Sequence, residues 1–432
     1  MPAFTRPTSR DPIAVVVGLE LNALGITRAL ARRGVSCWAV AADPSTPLKA
    51  SRSIQRVVLA PEWSRDAVLD TLQRLGREIG APSVLLLSKD ESVLWVSSAE
   101  RELTPWFRIA LPPPAVVDLL MNKAQFYARA LERGWPVPRG FLCESETEIE
   151  SVLNQVPFPV ILKPQLRNST YRKQRIAKGF RIENPTELRE AYRTVARWEP
   201  EVIISEWIEG RDDQLYSCRG FWDRDGGPVV QHAARKLMQW PVQVGNMAAL
   251  EIPAPEDWKE PLRIANEVFR EVRMCGIGAM EFKRAPDGRF LILEPCVGRT
   301  VYSHEIGPLN GYDIPWAAYR FLATEPSDGA SSSSDGQEPP PSRLSSPERV
   351  PQPPPARGSL RLIDGPRARK AAVEYVRRGI FTQEEVRQVL SSPHLDMTYR
   401  REDPWPSVRL SLRRWVRRIR NMVNRRRTSK SQ

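Results

Sequence analysis

The sequence predicts an α/β protein of more than one compact unit, ending in a disordered linker and a basic helical tail. Three observations carry this. The β-branched run Ile13 to Val17, a helix-like stretch from Asn22 to Arg33 stopped by Gly34, and the run Cys37 to Ala41 give β-α-β order. Further on, Met280 to Lys283 and Arg289 to Leu293 read as strands joined by Ala285-Pro-Asp-Gly288, a hairpin. The chain has 432 residues, enough for two or three units each with a buried core.

In order along the chain, Val84 to Leu87 is a further apolar strand leading into Ser88-Lys-Asp-Glu91, so 11–114 is expected to be a parallel α/β domain. The turn Gly18 to Gly25 lacks the GxGxxG spacing that lets a backbone approach pyrophosphate, so it does not read as a dinucleotide site. Pro112-Pro113-Pro114 marks a boundary, and helix-like sequence follows from Ala115 to Arg133. Strands are expected at Val160 to Leu162, Val202 to Ile204, Leu215 to Cys218, Gly278 to Lys283 and Phe290 to Leu293, within a second domain over 115–322. The region 323–358 is rich in Ser, Pro, Gly and Glu and reads as a linker without a fold. In the last segment, 359–432, Ala371 to Arg378 and Thr382 to Leu390 read as helices, the second opened by a Thr382/Glu385 capping box.

Composition narrows the partners. A formal charge of +13 points to an anionic partner without choosing among nucleotide, nucleic acid and an acidic membrane surface. Five scattered cysteines with no CxxC spacing do not suit a disulfide framework. Three histidines without paired His/Cys spacing argue against zinc, so any metal is expected on carboxylates. No apolar run reaches bilayer-spanning length and the polar start lacks the hydrophobic stretch of a secretory signal. The expected location is cytoplasmic.

Activating a carboxylate by phosphoryl transfer requires cations to neutralise a triphosphate and carboxylates to hold Mg²⁺. Both residue types occur at structured positions. Lys163 ends the buried strand Phe158-Pro-Val-Ile-Leu-Lys163-Pro, and Lys123 opens a helix behind Asn122, a suitable N-cap, where it can reach an anion. Val202-Ile-Ile-Ser-Glu206-Trp-Ile-Glu209-Gly210 runs from a buried strand into an acidic turn that suits an adenine-binding hinge. Glu281 and Glu294 flank the hairpin at matched positions, where they would repel each other without a cation between them; Mg²⁺ is the natural one.

The order Met-Asn-Lys123, Phe-Pro-Val-Ile-Leu-Lys163-Pro, Ile-Ser-Glu206-Trp-Ile-Glu-Gly, Met-Glu281-Phe-Lys and Leu-Glu294-Pro resembles the ATP-grasp superfamily over about residues 11–322. Gly210 to Tyr216, Ala234 to Pro241 and Glu294-Pro-Cys-Val-Gly-Arg299-Thr look like its carboxylate-amine ligase branch, akin to D-aspartate ligases and the carbamoyl-phosphate synthase type of fold. The resemblance implies an ATP-grasp fold behind a pre-ATP-grasp α/β domain, and an ATP- and Mg²⁺-dependent ligase acting on a small-molecule carboxylate and amine through an acyl-phosphate. It implies that Lys123 and Lys163 contact ATP phosphates, that Glu206 and the backbone of Trp207 and Ile208 take the adenine, and that Asp212 takes the ribose. Glu281 and Glu294 would hold Mg²⁺. Arg299 would stabilise the transferring phosphoryl group or the acyl-phosphate, with Lys236 or Arg235 lining the same cleft or the substrate carboxylate. Two places depart from the pattern. Cys296 stands where relatives often carry asparagine, and the loop from Gln165 to Lys178 is basic where theirs is glycine-rich, so Lys178, Arg172 or Arg175 would supply the phosphate-facing charge.

In the tail, over 408–427, Val408, Leu412, Trp415, Ile419 and Met422 recur every three or four residues among arginines. An anionic membrane surface at the inner face, docking on a partner or on its own catalytic domain, and nucleic acid are open to such a helix, with nucleic acid the least expected. The second reading of the whole chain is an ATP-binding module of little or no activity, acting as a membrane-associated interaction protein. The stretches Gln239 to Ala249 and His304 to Asn310 are expected to be substrate-side loops.

Overall fold

A computed structural model describes residue 4 and residues 11–165, 179–324 and 360–428. The linker expected at 323–358 lies almost wholly outside them, as do Arg172, Arg175 and Lys178. The chain divides into two compact units, the first made of 1–111, 298–354 and 395–432, the second of 112–297 and 355–394. This division is not linear in sequence, because segments far down the chain return to earlier ones.

In the first unit five parallel strands, β1 (Ala14–Val17), β2 (Cys37–Ala41), β3 (Arg56–Leu59), β4 (Ser83–Leu87) and β5 (Phe107–Arg108), lie in the order β3-β2-β1-β4-β5. The central strands are buried throughout, as expected of parallel strands with helices on their faces. The helix Leu21–Ala31 follows β1, with Arg28 wholly buried in it. Its guanidinium meets Asp403 (Nε to Oδ2, 2.9 Å) and Glu305 (Nη1 to Oε2, 3.8 Å). Asp403 also accepts from the Ser51 hydroxyl and the Arg52 amide, while Arg400 pairs with Glu305 at 2.8 Å. This buried cluster ties 398–403 and 298–305 to the first helix.

His304 to Asn310 is accordingly not a substrate-side loop. His304, Glu305 and Ile306 are buried, and Glu305 is committed to the arginine cluster.

The second unit holds two sheets. One is four-stranded: β6 (Gly140–Cys143), β7 (Val160–Pro164), β8 (Phe180–Ile182) and β9 (Val202–Glu206) in the order β6-β9-β7-β8, all pairs antiparallel. Its apolar face packs on the helices Glu146–Val152 and Pro185–Ala196 through Ile149, Leu162, Leu188 and Tyr192. The other sheet carries the order β14-β13-β10-β11-β12-β15, formed by β10 (Leu215–Trp222), β11 (Pro228–Trp240), β12 (Asn246–Glu251), β13 (Gly276–Arg284), β14 (Phe290–Val297) and β15 (Arg361–Ile363). Trp222, with no exposed surface, lies over Gly220 and Gly278, where a Cβ would stand 2.9 Å and 3.3 Å from its ring. It meets Phe269 of the helix Lys259–Glu271 edge-on at 4.8 Å, so this face of the sheet is the packed one.

The helix expected over Ala115 to Arg133 is two, Pro114–Met121 and Lys123–Arg133. They break at Asn122, whose side chain accepts from the amides of Ala124 and Gln125 as an N-cap and so cannot continue a helix. Gln239 to Ala249 proves to be largely strand. Gln239 pairs with Met247 and Trp240 with Asn246, leaving only 241–245 as the turn. The capping box at Thr382 and Glu385 forms as expected.

Candidate nucleotide and metal site

The turn Ala285 to Gly288 sets the register of the key hairpin. Gly288 has φ of +87°, and its amide returns to the Ala285 carbonyl at 2.9 Å. That register alone would set Glu281 against Leu293; a β-bulge between Glu281 and Phe282 shifts the pairing by one residue, so that Glu281 lies directly opposite Glu294. Strand alternation then puts Ser217 beside Glu281 on the neighbouring strand, Ala234 beside Ser217, and Arg219, Lys236 and Cys296 two residues along on the same face. This is the face opposite Trp222.

Cations from separate elements converge on the two carboxylates. Lys123, at the start of its helix, stands 3.5 Å from Glu294 (Nζ to Oε2), and Lys236 stands 3.5 Å from Glu281 (Nζ to Oε2). The side chains are open to solvent to different degrees: Glu294 is 47% exposed, Lys123 30% and Lys236 18%. Lys163, on β7 of the other sheet of this unit, belongs to the same electrostatic group. Burial pulls its ammonium below the ordinary lysine range, Glu294 and Glu281 oppose that shift, and Lys123 and Lys236 add to it.

Arg219 was not expected from sequence, because the strand read as ending at Cys218 runs on to Trp222. Its side chain is buried, donates to the Ser217 hydroxyl at 3.1 Å, and is pushed down to about 10 by burial against the attraction of Glu281. The available signal was alternation, since Arg219 sits two residues from Ser217 in an otherwise apolar strand.

The remaining expected residues fall in distinct settings. Arg235 is turned to the face opposite Lys236, where it pairs with Glu251 at 2.5 Å, as Arg361 also does, so of the two only Lys236 joins the carboxylates. At the hinge the Glu206 carboxylate accepts from the Arg139 amide, and the Trp207 amide donates to the Pro159 carbonyl. A base edge at this hinge would therefore be read by other backbone groups of 206–208.

Asp212 is buried, and its Oδ2 accepts from the Tyr375 hydroxyl at 2.5 Å and the Gln243 amide at 2.9 Å. A ribose hydroxyl would have to compete with both. Lys283 donates to the carbonyls of Gly210 and Arg211, which fixes the turn after the hinge.

Arg299 belongs to the first unit. It bridges to Leu87 at the end of β4, and its Nε donates to Asp90 at 2.5 Å. The residue before it, Gly298, has φ of +73°, and a Cβ there would collide with Leu111 and Val93.

A parallel α/β unit, a four-stranded sheet carrying a half-buried lysine, and an antiparallel sheet presenting paired carboxylates together define the ATP-grasp class of fold. The biotin carboxylase domain of Hydrogenobacter thermophilus 2-oxoglutarate carboxylase, determined with MgADP, ADP and bicarbonate, shares it with a TM-score of 0.59 at 16% identity, over 73% of this chain and 70% of that one. N5-carboxyaminoimidazole ribonucleotide synthetase from Thermus thermophilus matches with a TM-score of 0.56 at 15% identity, over 73% of this chain and 79% of that one.

In sequence, the D-alanine–D-alanine ligase of Alkalilimnicola ehrlichii is 25% identical over 208 residues, 43% of this chain and 60% of the relative. The chain spans little more than half the length of the curated relatives it matches. No family model matches the sequence.

Proposed function

We propose that this protein is an ATP- and Mg²⁺-dependent ligase that joins a small-molecule carboxylate to an amine, releasing ADP and phosphate. One observation carries the reading: Glu281 and Glu294 face each other across a hairpin on the open face of the sheet, each approached by a lysine from another element. With Lys123, Lys163, Lys236 and Arg219 around the two carboxylates, positive charge exceeds negative, and a triphosphate with its cation would balance it.

The residues fit Mg²⁺. It is commonly bound through one or two carboxylates plus substrate phosphates, rather than by an all-protein cage. Bound between Glu281, Glu294 and phosphate oxygens, Mg²⁺ would neutralise charge on the triphosphate. Cys296, on the same face, is a poor ligand for a hard cation and is assigned no role in holding it.

Lys123 would then exchange Glu294 for phosphate oxygens, and Lys163 would turn to them as well. For Lys163 the incoming negative charge reverses the effect of burial and favours the ammonium form. A substrate carboxylate oxygen attacks the γ-phosphorus, and the bond to the β-γ bridging oxygen breaks with its electron pair leaving on ADP. The amine then attacks the acyl carbon, phosphate leaves, and the amine proton passes to solvent. Arg219 and Lys236 supply fixed positive charge beside Glu281, and no protein nucleophile is required.

The test is ADP release from ATP and Mg²⁺ across pools of amino acids and of amino or hydroxy sugar acids. Substrate-stimulated release that disappears in Glu294→Gln supports the ligase. Nucleotide binding with no stimulated release from any pool overturns it.

A further inference from the structure

We infer that the C-terminal helix Trp405–Thr428 is a surface anchor for an anionic lipid bilayer, lying in the interface with its apolar stripe inserted. From 404 to 432 the chain has nine arginines, Lys430 and no acidic residue, which is +10 of the whole chain's formal +13. The rest of the protein is close to neutral, so the positive charge is a property of this helix and not of the surface in general.

At about 100° per residue, Trp405, Val408, Leu412, Trp415, Val416 and Ile419 fall within one arc roughly 100° wide. The first five are 41–62% exposed. Leu410 falls on the far side of the helix, and it is the residue that packs into the first unit, against the cluster of Leu19, Leu24, Ala39, Ala41 and Leu48. The helix also packs along the turn Pro47–Ala50. One side therefore fastens the helix to its own domain and leaves the apolar stripe outward.

Arg409, Arg413 and Arg420 border the stripe on one side, where their heads would reach lipid phosphates while their stems stay apolar. Phosphate contacts on a nucleic acid would use the arginines but leave two outward tryptophans without purpose, which is why a bilayer is favoured. Among the described residues no helix is long and apolar enough to cross a membrane, consistent with a helix that lies on one.

The experiment is co-sedimentation of the full chain with phosphatidylcholine vesicles containing phosphatidylglycerol, and with phosphatidylcholine alone. Expected is binding to the anionic vesicles only, reduced at least about tenfold by Leu412→Asp or Trp415→Asp. Both variants should keep the wild-type melting temperature, which reports an intact first unit. Equal binding to both vesicle types overturns the proposal. So does anionic binding that both stripe variants retain and salt abolishes, or tight duplex binding in place of vesicle binding, since each would make the arginines alone responsible. The proposal does not depend on the ligase reading, and ADP release in solution should be unaffected by either variant.

Discussion

Two groups of opposite charges in this protein look alike on paper and differ in build. In the first unit Arg28, Asp403, Glu305 and Arg400 are all buried, with pairs at 2.8 Å, 2.9 Å and 3.8 Å and further donors from Ser51 and Arg52. In the second, Lys123 meets Glu294 and Lys236 meets Glu281 at 3.5 Å, on side chains that reach solvent. The first group is enclosed: the Asp403 carboxylate takes its donors from the chain itself, and the group fastens distant segments. The second is left open, with cations and carboxylates close enough to restrain one another and loose enough to change partners. The difference is access: a charge cluster that holds a fold together is sealed from solvent, and one that can take a ligand is reached by it.

The sharpest break in this comparison is Asp403→Ala. It leaves Arg28 buried without its closest partner and is expected to lower unfolding free energy by about 3–5 kcal/mol in urea titration, whereas Glu294→Gln should change it by less than about 1 kcal/mol. Comparable losses would erase the distinction between the clusters. Next in size, Glu294→Gln should reduce substrate-stimulated ADP release by roughly 100- to 1,000-fold at saturating substrate, the range for removing a group that stabilises transition-state charge. A reduction below tenfold would remove Glu294 from the metal site.

Lys163→Met should raise the melting temperature of the ligand-free protein by a few degrees, because the native state no longer buries a charge. The same variant should lose the thermal stabilisation that ATP and Mg²⁺ give the wild type. The sign with pH follows from the lowered pKa. Between the folded value and about 10.4, the ordinary lysine value, the unfolded state binds more protons, so wild-type stability at this group rises with pH. The advantage of Lys163→Met should therefore shrink as pH is raised towards 10; a constant or growing advantage would show that Lys163 is not held against its charge. The smallest effect is expected at the surface. Arg263→Ala removes exposed pairs with Glu260 and Glu267 on one helix and should cost no more than about 0.5 kcal/mol.

Much of the site was legible in the sequence, for local reasons. Asn122 caps the helix that begins with Lys123 because asparagine competes for the first helical amides, and a strand-turn-strand signal around Pro286 and Gly288 puts Glu281 and Glu294 on paired strands, although their direct opposition needs the bulge after Glu281. Arg219 was hidden because its strand, which has no β-branched residue, extends past Cys218 into a charged residue, a glycine and two aromatics that belong only if Trp222 can cover Gly220 and Gly278. Gln239 to Ala249 reads as a loop for a related reason: polar residues and Gly245 obscure a hairpin maintained by its neighbours, including the bond from the Gln239 amide to the Tyr375 hydroxyl, 136 positions away.

By itself the sequence determined the types of element, the paired carboxylates, the lysines and the charge of the final helix, since these depend on periodicity, caps and turns acting over a few residues. Tertiary structure decided which of them meet. It turned Arg235 away from the carboxylates and Lys236 towards them by strand alternation in a particular register. It also returned Asp403 to Arg28 across 375 positions of chain and set Leu410 of the last helix inward, so that Trp415 faces out. Such pairings are fixed by which surfaces can be buried together, a property of the whole packed chain and not of any stretch of it.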